Sequence, residues 1–479
     1  MSTFVRRLLV VAAVAAFVVA GIVVSRHHPA RVAATYGSND QPPMPIAPTG
    51  DALTTSWFCP GVPAAADKST GDGSVTVLNP TDTPMNGTIT YFPGDGQAVT
   101  GALTVAPNDR AVVVPRDTAP APFTGVLIEV YGTNAVVAET ASTSLGWSST
   151  PCSTTASSSW YLADGTTTVD TKYQLLVLNP FPDDAIVDFN FVGDDGGHSP
   201  SALQGFVVKA RTLRVVDVDK AMQRDTLVSA TVQARNGRVV VSRFQSLPGP
   251  TRKGLVMTLG APSAGSQWWF ADGEKGDGVK ERVVLYNPRD DDSSVDVTVF
   301  PADPTAGSPV PLKFTVPPHQ RVDADLSSNE EVPAGHHSIV VSTDPDQPVV
   351  AERVLDLTGK SRVASTVQLG GRTAAARWFV PVAAPANAAN VLTVVNVTGV
   401  DANVSVGILG TAGETPVPDL QDVAVPAGAV MQLPLQDHGA ANQPVVVTAD
   451  GQVVVEQFVT PGGNSPGAAS ALGVPVAGQ

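Results

Sequence analysis

At 479 residues the chain is longer than one hydrophobic core normally serves, so several domains are expected. Charged residues make up 15% while Gly (43) and Pro (41) are abundant, and with much Val, Ala and Thr this favours many short strands over helices. The net charge is −15, and the arginines Arg6, Arg7, Arg26 and Arg31 leave the remainder more acidic still, a balance that repels nucleic acid and anionic headgroups.

Residues 8–24 read LLVVAAVAAFVVAGIVV, an uncharged apolar run preceded by Arg6 and Arg7 and followed by Ser25, Arg26, His27 and His28. A basic flank before an apolar run is the pattern of an export signal, and this run reaches the lower limit for crossing a bilayer. We read residues 1–26 as a signal-anchor helix, a single pass through the cell membrane with the bulk of the chain outside the cytoplasm. Cleavage near Ala30, Ala33 and Ala34, giving a secreted form, is the alternative. Residues 27–54, with Pro42, Pro43, Pro45 and Pro48, read as an extended stalk.

The two cysteines are Cys59 and Cys152. An exported chain meets an oxidising compartment, so an even pair predicts one disulfide, clamping the two ends of the first repeat. Two cysteines without nearby histidines do not make the usual zinc site, and no metal or other cofactor is expected.

Internal repetition is the strongest signal. An aromatic pair opens each unit at Trp57–Phe58, Trp160–Tyr161, Trp269–Phe270 and Trp378–Phe379. A strand-like run ending in Asn follows, at Asn79–Pro80, Asn179–Pro180, Asn287–Pro288 and Asn396–Val397; the proline is expected to stop the strand, because it cannot donate to a ladder. Next comes alternation: Val187, Phe189 and Phe191; Val295, Val297 and Val299; Val404, Val406 and Ile408. Polar or small residues lie between them, the period of a half-buried strand. A short run then precedes Glu139, Ser242, Glu352 and Glu456, and each unit closes on Leu-Gly.

The repeats therefore span 55–153, 154–262, 263–371 and 372–475, each offering seven or eight short strands. The fold class is all-β: an N-terminal transmembrane helix followed by four tandem immunoglobulin-like β-sandwich repeats, each self-supporting. A β-propeller built from the same repeats is the alternative.

These landmarks resemble an uncharacterised family of exported actinobacterial proteins. Its repeats begin Trp-Tyr-Phe-Ala-Glu-Gly, pass through a Leu-x-Asn-Pro strand end and finish Val-Ala-Glu-Arg. The opening matches best at Trp160–Gly165 and Trp269–Gly273, with Asp replacing Glu, and the closing element is complete at Val350–Arg353. The resemblance covers roughly residues 55–475 and implies an exported β-repeat protein; it supplies no activity.

Motifs that carry chemistry are defective. Gly463-Asn464-Ser465-Pro466-Gly467 has the spacing of a nucleophile elbow, but Pro466 has no N–H for the oxyanion hole and no His follows. Gly249–Gly254 has phosphate-loop spacing, with Leu255 and Val256 where Lys and Ser/Thr are needed. His336–His337 would point to opposite faces of a strand, a poor metal clip, and the Asp clusters read as solvated turns. No catalytic residue is nominated, and the chain reads as a non-enzyme.

Two structural expectations remain. Arg110 and Arg321 recur at one position in repeats one and three, and each is expected to pair with the later Glu139 or Glu352; Glu456, with Val430 at the Arg position, should be exposed or differently paired. The repeated tryptophans Trp57, Trp160, Trp269 and Trp378 are expected in cores or junctions, with stacking on sugars as the alternative and Trp268 the most exposed. The functions that fit are a structural or interaction protein of the cell envelope with an unknown envelope protein partner, then a carbohydrate- or cell-wall-binding protein with a polysaccharide partner, and last an envelope hydrolase.

Overall fold

The computed structural model describes residues 45–476, apart from 51, 95, 304, 360, 361, 383 and 463–465. The apolar run 8–24 and the stalk up to residue 44 lie outside the described residues. Among the described residues no helix is long and apolar enough to cross a membrane.

Alternation becomes strand as expected. In Ala185–Gly193, Val187, Phe189 and Phe191 are buried while Asp188 and Asn190 are partly exposed. In Ala402–Gly410 the period breaks at Gly407, so that Leu409 rather than Ile408 is fully buried.

The first repeat has eight strands: β1 (Thr54–Ala64), β2 (Asp72–Asn79), β3 (Met85–Pro93), β4 (Val99–Val105), β5 (Asp109–Val113), β6 (Ala121–Tyr131), β7 (Val136–Thr143) and β8 (Gly146–Pro151). They form two antiparallel sheets, ordered β1-β6-β3-β4 and β5-β2-β7-β8. The same two orders recur in the third repeat and, with two short strands (Gly196–His198 and Phe206–Val208) in the place of β4, in the second. In the fourth, Val445–Thr460 runs unbroken past Asp450 and Gly451 and joins both sheets into one.

An immunoglobulin domain keeps its first two strands in one sheet. Here β1 and β2 lie in different sheets, so the expected immunoglobulin-like order is not the one formed. The reason is visible in β1, which carries a large aromatic side chain on each face. A strand with two apolar faces is best placed between two sheets rather than beside β2 in an outer one.

The repeats are not a string of self-supporting beads. The strands that close them, β8, Lys253–Leu259, Arg362–Leu369 and Ala469–Leu472, pack in a closed cycle, each against the next and the last against the first. Little space remains along this axis, about 30 Å³ lined by Pro45, Thr150, Thr258, Gln368 and Ser470 among others. The sheets carrying the closing strands thus stand around an axis like propeller blades, and the other sheet of each repeat is wedged against the next blade.

The aromatic pair explains the arrangement. Successive residues of a strand face opposite ways. Trp57, Trp160, Trp268 and Trp378 are fully buried in the cores of their own repeats. The next residues, Phe58, Tyr161, Trp269 and Phe379, pack into the core of the following repeat, and Phe379 of repeat four packs into repeat one. Three of the indoles donate to the backbone carbonyl at the position equivalent to Ala135, just ahead of β7 in the first repeat: Trp160 to Val239 O at 2.8 Å, Trp268 to Val349 O at 2.9 Å, and Trp378 to Val453 O at 3.0 Å. The expectation for Trp268 is therefore corrected. It is the member of the set, 1% exposed, and Trp269 is its half-buried neighbour that serves repeat four.

Two further features hold the ring. Cys59 and Cys152 form the expected disulfide, with a Cα–Cα distance of 4.7 Å, tying β1 to the residue after β8. Residues 45–50 are not an extended stalk: Ala47 is 1% exposed, lies in the core of repeat one, and donates its N–H to Pro475 O at 2.8 Å.

Candidate functional site

Strand register sets what the four junctions contain. The Asn that ends the second strand of each repeat (Asn79, Asn179, Asn287, Asn396) fixes the alignment of the strand beside it. Counting from there, Ala138, Ser242, Glu352 and Glu456 are equivalent, and so are Glu139, Arg243, Arg353 and Gln457. Glu139 is thus one residue out of step with Glu352, although both follow a Val-Ala.

At the second junction Arg243 of repeat two meets Glu352 of repeat three, at Nη2–Oε1 3.2 Å and Nη1–Oε2 3.3 Å, and both side chains are fully buried. Arg243 also donates to Thr258 Oγ1 at 2.7 Å and to Asp164 O. Glu352 Oε2 accepts the Asp164 N–H at 2.6 Å. The Asp164 carboxylate is gripped by Arg252 at 2.9 Å and Arg282 at 3.4 Å, and Asp356 binds Arg282 at 3.0 Å, Arg252 at 3.4 Å and Ser365 Oγ at 2.6 Å. Burial opposes ionisation of Asp164, but the guanidiniums of Arg252, Arg282 and Arg243 outweigh it and hold the carboxyl at about 2.

The third junction repeats the scheme with fewer cations. Arg353 lies 3.4 Å from Glu456, whose oxygens accept the N–H groups of Ala271 (2.8 Å) and Asp272 (3.2 Å). Burial dominates at Glu456 and raises it to about 7, with Arg353 pulling the other way. Its burial answers one expectation: Glu456 is paired differently, with Arg353, and is not exposed.

The pairings expected for Arg110 and Arg321 do not form. The strand order β5-β2-β7 puts β2 between Arg110 and Glu139, a separation of about 9–10 Å across two strand spacings. Arg110 lies opposite Leu78 and Glu139 opposite Val75, which places the two on opposite faces. Glu139 instead sits fully buried beside the disulfide, its carboxylate and the Cys59 and Cys152 sulfurs within 4.8 Å of one another. Arg321 is likewise separated from Glu352 by a strand. It crosses to repeat two, where it donates to Val192 O, Gly193 O and Leu227 O at 2.8 Å and to Asp194 at 3.1 Å.

One buried pair had no signal in the sequence. His336 and His337 do face opposite ways on a strand; His336 bonds Gln432, while His337, 1% exposed, holds Glu281 at 2.6 Å. The partners are 56 residues apart in the chain, a distance no motif covers.

Among the described residues, grooves open at the first junction and at the closing one. One of about 980 Å³ lies between repeats one and two, with Phe123, Phe244, Lys172 and Arg214 among its walls. Another of about 820 Å³ lies between repeats four and one. Ser74, Thr76, Thr140, Ser142, Arg110 and Trp147 line it on one side, and Val382, Pro385, Pro461 and Pro466 on the other.

Fold and junctions define an all-β protein of multiple sheets whose repeats share their cores. The chain belongs to a family of unknown function (DUF5719), whose model matches residues 134–246 and 250–474. No curated protein matches it in sequence. Among solved structures it is similar to Thermotoga maritima 1070, at 19% identity and a TM-score of 0.21 over 22% of this chain and 94% of that one. It is also similar to a tetra-tandem repeat in the extending region of a large adhesion protein, at 13% identity and a TM-score of 0.10 over 88% of this chain and 99% of that one. Likenesses this slight carry no argument about fold or function.

Proposed function

We propose that the chain is a non-enzymatic structural or interaction protein of the cell envelope, tethered by residues 8–24 with its ring of repeats outside the cytoplasm. One observation carries this reading: the buried charges Arg243, Glu352, Asp164, Arg353 and Glu456 bond one repeat to the next. Groups held this way serve to fix a shape. The Cys59–Cys152 disulfide supports an oxidising location, and the apolar run supports the tether.

Localisation tests the reading. In cells making the full chain with a C-terminal epitope, the protein should sediment with membranes, and protease added outside intact spheroplasts should remove the epitope. Recovery in the cytosol, or an epitope that resists protease until lysis, would overturn it.

A further inference from the structure

The four junctions are built on one plan, yet one departs from it. The position held by Thr140 in β7 is Phe244 in repeat two, Val354 in repeat three and Phe458 in repeat four. In those three the side chain is buried against the preceding repeat. Phe244 packs edge-on to Phe123 with ring centroids 4.9 Å apart, Val354 shares a core with residues of repeat two, and Phe458 packs with Val279 and Leu357 of repeat three.

At the closing seam the same face carries hydroxyls. Ser74 and Thr140 hydrogen-bond across the strands at 2.7 Å, Thr76 and Ser142 continue the row, and repeat four leaves the groove of about 820 Å³ above them. Trp147 stands half-buried at its wall, leaning on Ala384, Ala388 and Val459 of repeat four. Arg110 is partly buried in the groove, and among the described residues no acceptor engages its guanidinium.

We propose that this seam is a binding site for an acidic oligosaccharide. The hydroxyl row suits a polyhydroxylated chain, which exchanges hydrogen bonds as donor and acceptor. Trp147, half-buried at the wall, keeps part of an apolar ring available to the C–H face of a sugar, and Arg110 supplies the fork that grips a carboxylate. The volume lies within the roughly 300–1,000 Å³ of small-ligand sites. Between repeats one and two a groove persists with Phe244 in its wall, so the closing seam is set apart by its hydroxyl face, which a Phe at position 140 would replace with an apolar ring.

The inference deepens the envelope reading by naming a ligand class. Its test uses purified protein, so a failed titration leaves the localisation result untouched. Titration calorimetry of the protein with hexagalacturonate should show one-to-one binding, with none for neutral maltohexaose or for hexaglutamate. Arg110→Ala should weaken binding at least tenfold with an unchanged melting temperature. Thr140→Phe, which installs the side chain of repeat two, should abolish it while the protein stays folded. No heat with hexagalacturonate at millimolar concentration, equal binding of either control, or full binding by Arg110→Ala would each overturn the proposal.

Discussion

Glu139 stands where the next two repeats place Arg243 and Arg353, and its neighbours are the Cys59 and Cys152 sulfurs rather than a cation. Burial pushes its carboxyl well above the usual range, and the Gly61 amide opposes this only in part. A carboxyl whose folded value is raised contributes its stability in full below the unfolded value, about 4.3, and loses it as pH rises towards the folded value. Urea melts at pH 4.5 and pH 7.5 should therefore show the native protein losing stability across that interval. In Glu139→Gln, which does not titrate, this loss should shrink by about 1.4 kcal/mol for each unit by which the folded value exceeds the unfolded one; an unchanged pH dependence would show that Glu139 is not its source.

The Arg243–Glu352 pair makes the opposite kind of prediction. Removing one partner strands a buried charge, so Glu352→Ala should cost about 3–5 kcal/mol in denaturant unfolding. Replacing both by Met and Leu should cost far less, because the penalty comes from the orphaned ion and not from the lost bond. Equal losses in the single and double variants would contradict this.

Strand ends are set by the four asparagines. Asn287 is fully buried and donates to Asp291 O at 2.7 Å and Val316 O at 2.9 Å, while its Oδ1 accepts the Arg289 N–H at 3.0 Å. Asn79, Asn179 and Asn396 repeat the clamp, the last with Val400 O and Val425 O. Proline was expected to terminate these strands, yet repeat four ends the same way with Val397, so the amide side chain is the working part. Asn287→Ala should destabilise by about 1–3 kcal/mol through its unpaired carbonyls and speed amide exchange at Arg289. Pro288→Ala should do neither.

The strands, the fourfold repeat and the disulfide were legible in the sequence, because alternation and spacing are local and the cysteines have only each other. The junctions were not. Alternation shows that Phe58 faces away from Trp57, but not that the surface it meets belongs to the next repeat. A matching Val-Ala before Glu139 and Glu352 conceals the one-residue register step that only the paired strand reveals. The doubled tryptophan conceals its register in the same way, since Trp269 continues the spacing while Trp268 fills the pocket.

For the whole molecule, the shared cores mean that no repeat can lose its structure alone. Phe58 and Phe379 bury their rings in a neighbour, worth about 1.5–3 kcal/mol apiece, and Tyr161 and Trp269 bury part of theirs. Scanning calorimetry of the chain from residue 45 onward is the direct test. The ring should melt in one transition whose calorimetric and van't Hoff enthalpies agree, and Phe379→Ala, a change in repeat four, should lower that whole transition. Several resolved transitions, with Phe379→Ala moving only one of them, would show that the repeats stand independently.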